Sequence, residues 1–233
     1  MLKMSGVHTY YGESHILQGI ALYVGPAQCV ALLGRNGAGK TTTLRSILGL
    51  TPARRGQIIF KGTDITRLAT HRIVRSGIAF VPEDRGIFLT VTVEEHLAIA
   101  YGASKHRPTR KPIEHVLEIF PRLAERRYSL GGQLSGGEQQ MLAIGRALVT
   151  GPDLMILDEP SEGLAPVIIE TLEEVLKNVK MAGIPILLVE QNYHLAMRLA
   201  DYVYVLSQGR VQFSGETQAL IANEDIRRTY LSV

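Results

Sequence analysis

The chain has 233 residues, enough for one large or two small domains around a sizeable core. Hydrophobic residues make up 45% and charged residues 20%, and the formal net charge is +3, a globular balance that does not call for nucleic acid. One cysteine excludes an internal disulfide, no apolar run approaches the roughly 18 residues of a membrane span, and the first residues lack the apolar core of a signal peptide, so any membrane role is expected to run through a partner.

Residues 2–33 read as three short strands: Leu2 to Val7, Ile16 to Val24 and Gln28 to Leu33, with Gly25-Pro26 turning between the last two. Tyr10-Tyr11-Gly12 falls in the first connection. An exposed tyrosine ahead of a phosphate loop offers a π-face to a nucleotide base, although a lone tyrosine is more often packed. Cys29 lies in the third apolar run, where a small buried thiol is expected.

Gly34-Arg35-Asn36-Gly37-Ala38-Gly39-Lys40-Thr41 follows that run and fits G-x-x-x-x-G-K-[ST], the phosphate-binding loop. A buried strand precedes it, and Thr42 to Leu48 reads as a helix, so the motif stands in its strand–loop–helix context. The glycines let successive backbone N–H groups turn inward on phosphate oxygens, and the helix N-terminus adds positive potential. Lys40 is expected to bridge the outer phosphates and the Thr41 hydroxyl to ligate Mg²⁺, with Thr42 beside it. An ordinary glycine turn is the competing reading, and the flanks argue against it.

Gln57 to Phe60 reads as a strand, Leu68 to Arg75 as a short helix closed by Gly77, and Ile78 to Val81 as a buried strand ending at Pro82-Glu83-Asp84. Thr92-Val93-Glu94-Glu95 has capping-box spacing and opens a helix through Tyr101. Arg107-Pro108-Thr109-Arg110-Lys111 is basic but broken by proline, a solvated loop. Ile113 to Phe120 has helical apolar spacing, and no strand is expected between about residues 88 and 152.

Leu134-Ser135-Gly136-Gly137-Glu138 opens another helix, again with a capping box at Ser135 and Glu138. Two glycines in a first helical turn cost roughly 1 kcal/mol each. A cap needs neither, whereas bare N–H groups approaching an anion would need both, so a second anion site is expected here. Leu154 to Leu157 is a buried strand ending in Asp158-Glu159, the pattern that holds Mg²⁺ in phosphate-loop ATPases. Asp158 is the expected metal-side residue and Glu159 the expected general base for an attacking water. Pro166 opens a helix through Lys180, and Pro185 to Val189 is a core strand ending at Glu190-Gln191-Asn192. Tyr202 to Leu206 and Arg210 to Phe213 read as a hairpin, and Ile226 to Leu231 as a terminal helix.

The order of phosphate loop, Leu-Ser-Gly-Gly-Glu-Gln and apolar strand with Asp-Glu resembles the ATP-binding subunit of ABC transporters, over essentially the whole chain. The resemblance implies an α/β fold: a RecA-like phosphate-loop core with N-terminal antiparallel strands (residues 1–87 and 153–233) and an inserted helical subdomain (88–152). It implies a head-to-tail dimer with a second ATP-binding subunit, in which Ser135, Gly136, Gly137 and Glu138 meet the γ-phosphate of ATP on the opposite chain. Tyr11 looks like the adenine-stacking aromatic. Glu83 stands where most members have a glutamine that touches Mg²⁺, Gln191 where most have a histidine that holds the γ-phosphate, and Ala165 where Asp is usual. Gln191 can donate a hydrogen bond but cannot become cationic.

Val81-Pro82-Glu83, Glu159-Pro160-Ser161 with Gly163 to Pro166, and Val189 to Asn192 are similar to the branched-chain amino acid uptake type. That likeness implies ATP and Mg²⁺ as cofactors, membrane permease partners and, indirectly, an extracytoplasmic solute-binding protein. It places the chain at the inner face of the cell membrane. The alternatives are the ATPase of a lipid or lipopolysaccharide exporter, of similar size and motif order, and a non-transport ABC ATPase, whose chains usually carry two modules or long insertions.

Overall fold

The structure is a computed structural model and describes residues 1–104 and 106–232. In chain order, β1 (Leu2–Tyr11) and β2 (Ser14–Val24) form a hairpin, and β3 (Cys29–Leu33) leads through the phosphate-type loop into α1 (Lys40–Ile47). Then come β4 (Arg55–Phe60), β5 (Thr63–Asp64), α2 (Thr70–Arg75) and β6 (Ile78–Val81). The helical stretch holds α3 (Val93–Ala103), α4 (Ile113–Ile119), α5 (Pro121–Glu125), a 3₁₀ turn at Gly131–Gln133 and α6 (Gly136–Val149). After it run β7 (Leu154–Asp158), α7 (Pro166–Met181), β8 (Ile186–Glu190), α8 (Tyr193–Leu199), β9 (Tyr202–Ser207) and β10 (Arg210–Glu216). The chain closes with α9 (Thr217–Ile221), α10 (Glu224–Ile226) and a π-helical turn, Arg227–Leu231.

Two sheets result. One is antiparallel, in the order β2-β1-β4-β5; the other runs β10-β9-β3-β8-β7-β6. In the second sheet every neighbouring pair is parallel except the β9–β10 hairpin. Strands of such a sheet are buried on both faces, which is why β3, β7 and β8 read as continuous apolar runs. Their side chains divide by alternation. Cys29, Ala31, Leu33, Met155, Leu157, Ile186 and Leu188 face a core shared with α3, α4, α6, α7 and α8. Val30, Leu32, Leu154, Ile156, Leu187 and Val189 face a second core shared with α1 and the antiparallel sheet. The Cys29 thiol is 1% exposed, and burial pushes its pKa up to about 12, so it is an inert core group.

Both expected capping boxes form. Thr92 Oγ1 accepts from the Glu95 N–H at 3.2 Å while Glu95 Oε2 accepts from the Thr92 N–H at 2.8 Å, and Ser135 and Glu138 repeat the exchange at 3.3 and 2.8 Å. Between β6 and β7 the described residues hold helices and a single isolated bridge, Thr92 with Leu130. Two expectations need correction. Tyr10 and Tyr11 are not in a connection: β1 runs through them, because the hairpin ladder continues to the Tyr11–Ser14 pair. The tail is not one helix from Ile226: a three-residue α-turn capped by the Asn223 side chain widens into the π turn. Strand β5, with two residues, and α5 and α9, with five each, were not foreseen, being too short to establish a period; α8 (Tyr193–Leu199) was not foreseen either.

Candidate functional site

Sheet register assembles the site. Leu33 lies opposite Glu190, Asp158 opposite Val189, and Val81 opposite Leu157. The C-terminal ends of β3, β8, β7 and β6 therefore open on one edge, the edge where open α/β sheets hold ligands. The Gly34–Thr41 loop, Glu83, Asp158-Glu159 and Glu190-Gln191 meet there.

The loop is shaped by its glycines. A Cβ on Gly34 would stand 2.4 Å from the Leu206 carbonyl oxygen, and Gly39 caps α1 at φ 108, a left-handed conformation that a side chain would strain. No side chain caps α1 and no acid lies in its first turn, so the N–H groups at its start face the cleft without an internal anion.

Lys40 is 4% exposed. Its ammonium donates to the carbonyls of Gly34 at 2.8 Å and Arg35 at 3.2 Å and pairs with Glu159 Oε1 at 3.1 Å. Gln191 Nε2 donates to Glu159 Oε2 at 2.6 Å and to Asn36 Oδ1 at 2.7 Å. Glu159 is thus held between a cation from the loop and an amide from the end of β8. Its backbone is left-handed, φ 46, rare for a residue with a side chain.

A cleft of about 360 Å³ is lined by Tyr11, Ile16, Asn36, Gly37, Gly39, Lys40, Thr41, Thr42, Glu83, Glu159, Glu162 and Gln191. Asp158 opens on an adjoining hollow with Thr41, Glu83 and Glu162. Ten expected site residues therefore share one cleft, with Asp158 beside it. Gly34 and Ala38 shape the loop without lining the cleft, and Arg35 turns away, donating to the Thr229 carbonyl at 3.3 Å. Ile16 and Glu162 were not foreseen. Glu162 lies in an irregular loop that carries no periodicity, and only its nearness to the Asp158-Glu159 pair hinted at it.

The carboxylates crowd. Burial, then the charges of Glu159 and Glu83, push the Asp158 pKa up to about 6, with Thr41 and Lys40 pulling the other way. Desolvation, with Glu83 and Glu159 nearby, also raises Glu162. Asp158 Oδ1 is buried without a hydrogen-bond partner. A buried, partnerless carboxylate oxygen among further acids and beside a threonine hydroxyl is the chemistry of a hard divalent cation site. Among the described residues no three His, Cys, Asp or Glu side chains stand in ligating arrangement, so such a cation would draw further oxygens from phosphates and water.

Ser135, Gly136, Gly137 and Glu138 line neither hollow. Their glycines also have a reason other than an anion, which corrects the expectation that no structural cap needs them. Gly137 is buried against α7, where a Cβ would meet Ile168 Cγ2 at 2.9 Å, and a Cβ on Gly136 would approach the Arg85 guanidinium at 3.3 Å. Gly137→Ala is expected to cost about 1–3 kcal/mol, read as a lower urea midpoint. Adding Ile168→Ala should cost less than the two changes summed, since it vacates the space; strict additivity would remove the packing argument.

The loop carrying Glu83 is tied down from the helical side. Arg146 of α6 donates to the Gly86 and Arg85 carbonyls, each at 2.6 Å, and Arg85 reaches Gln140 Oε1 and the Glu162 carbonyl, each at 3.3 Å. His96, 1% exposed, donates from Nδ1 to the Thr92 carbonyl at 2.8 Å and accepts from the Phe88 N–H at Nε2, 3.0 Å, which specifies a neutral ring. Burial lowers its pKa below the ordinary histidine value. The unfolded chain then binds the extra proton first, so stability is full above about pH 6.5 and falls as pH drops below it. His96→Gln should flatten the fall in urea midpoint between pH 7 and 5; an unchanged slope would place the titration elsewhere.

Comparison with known proteins places this geometry. The family described as ABC transporter matches residues 17–162. The chain is 43% identical over 231 residues to the high-affinity branched-chain amino acid transport ATP-binding protein BraG of Pseudomonas aeruginosa, covering 99% of each chain. It is 30% identical to the lipopolysaccharide export system ATP-binding protein LptB of Haemophilus influenzae, over 95% of this chain and 92% of that one. A solved ATP-binding subunit of an ABC transporter superposes with a TM-score of 0.83 at 32% identity, covering 98% of this chain and 92% of that one.

Proposed function

The chain belongs to the ABC transporter family and is one of its ATPases, and from that premise we propose that the ATP it hydrolyses drives the uptake of branched-chain or related amino acids. The observation that carries the solute class is the end-to-end likeness to BraG, at higher identity than to the lipopolysaccharide exporter subunit LptB. No helix among the described residues is long and apolar enough to cross a membrane. In the uptake reading the chain works from the cytoplasmic face, held there by permease subunits that carry the solute path, with an extracytoplasmic binding protein delivering the solute.

In this reading the cleft takes Mg-ATP. Tyr11, 43% exposed at its rim, stacks on the adenine. The backbone donors of Gly34 to Thr41, with Thr42 and Lys40, hold the phosphates. Thr41, Asp158 and Glu83 would hold Mg²⁺, which supplies positive charge against the phosphate oxygens. Glu159 orients the attacking water and takes its proton, and Gln191 fixes that carboxylate while reaching Asn36 of the loop. The Ser135–Glu138 helix start lies off the cleft and serves the ATP of a second ATP-binding subunit in a head-to-tail dimer. ATP closes the dimer, hydrolysis reopens it, and the permease follows.

The test is affinity capture of the full chain from native membranes in mild detergent, with partners identified by mass. Multi-span proteins and a second ATPase are expected, together with transport that needs a solute-binding protein. Lipid-linked partners without such a requirement would move the chain to export, and nucleic-acid-associated proteins alone would end the transport reading.

A further inference from the structure

Glu190 is a 1% exposed carboxylate at the C-terminal end of β8, unused by the chemistry above. Its two oxygens serve two loops at once. Oε1 accepts from the Ser161 N–H at 3.0 Å, and Oε2 accepts from the N–H groups of Gln191 at 3.1 Å and Asn192 at 3.0 Å. A hydroxyl or an amide in this place could not offer acceptors to all three donors, because only a carboxylate is acceptor on both arms. Burying that charge is costly, so the fold gains something by keeping it.

What it holds is the turn that presents Glu159. That turn is held in part by the Glu159 N–H donating to Val189 at 2.9 Å and the Glu162 N–H donating to Glu159 at 3.0 Å. Glu159 sits in the left-handed region with φ 46, a conformation that persists only where the surroundings over-determine it. The Glu190 clamp on Ser161 fixes the turn from below, and the clamp on Gln191 fixes the residue whose amide grips Glu159 Oε2.

We propose that Glu190 is a positioning residue for hydrolysis, acting through Glu159: its buried carboxylate locks the two loops that set where the Glu159 carboxylate stands. The inference rests on the ATPase reading, and wild-type protein without ATP hydrolysis would fail that reading rather than this one. Glu190→Gln keeps the volume but turns an N–H₂ group onto donors that need an acceptor. In the full chain, phosphate release at saturating ATP should fall about tenfold to a hundredfold, the effect of a small misplacement at the reacting centre. KM for ATP and the affinity for a fluorescent ATP analogue should stay within threefold. In a Glu159→Gln background the same change should have little further effect on the residual rate. Should Glu190→Gln not fold, Glu190→Asp, which keeps the charge and withdraws it by one methylene, must show the same split. Wild-type turnover, equal losses in kcat and affinity, a fully additive effect in the Glu159→Gln background, or failure of both variants to fold would each overturn the proposal.

Discussion

Glu159→Gln is expected to slow ATP hydrolysis about 10²–10⁴-fold while ATP still binds. The amide has the shape of the carboxylate but cannot take a proton from water, so the loss falls on the chemical step. The structure adds a sign for binding. Glu159 pairs with Lys40 at 3.1 Å, and the same ammonium is the one expected to hold phosphate oxygens, so carboxylate and nucleotide share one cation. Removing the anion frees Lys40 for phosphate, and the affinity for ATP should hold or rise. Initial rates of phosphate release at saturating ATP and titration with a fluorescent analogue separate the two effects. Near-normal turnover would remove Glu159 as the base; affinity lowered more than about tenfold would remove the competition between carboxylate and phosphate.

Lys40→Ala should weaken ATP binding by about 10²-fold or more. The ammonium makes charge-assisted bonds, each worth about 1.5–3 kcal/mol, and two such bonds to phosphate oxygens account for that loss. It also bridges the Gly34 and Arg35 carbonyls, so the loop loses an internal tie as well as a charge. Arginine should not restore affinity, because its planar fork does not fit the space filled by a compact ammonium. The variant also leaves Glu159 buried without its cation, so the nucleotide-free protein should be less stable to urea. Lys40→Ala combined with Glu159→Gln should regain part of that stability, since the uncompensated charge is gone. Unchanged ATP affinity in Lys40→Ala would undercut the phosphate-loop assignment itself.

Features whose physics is local were legible in the chain. The phosphate loop needs its residue types at consecutive positions, and both capping boxes are exchanges across three residues. Strands buried on both faces announce themselves as unbroken apolar runs, which is how β3, β7 and β8 were found and how Asp158-Glu159 was placed at a strand end. The glycines of the Ser135–Glu138 turn show the limit of that reasoning. Their number pointed to close approach, but only the packing of α7 revealed that Ile168 is what approaches Gly137.

By itself, then, the sequence determined the loop that can cradle phosphate, the strand that ends in two acids, the helix starts and the α/β pattern, because each depends on neighbours a few residues apart. The tertiary structure alone decided that Glu159 is gripped by Lys40 and Gln191, that Glu162 joins the acids, that Arg85 links the Glu83 loop to α6, and that Glu190 clamps two loops. The long-range contacts among them run from Ser161–Glu190, 29 positions apart, to Lys40–Glu159, 119 positions apart, and Glu162 hangs on an irregular loop. They exist because parallel register sets Leu33 beside Glu190 and Asp158 beside Val189, a pairing that no local pattern encodes.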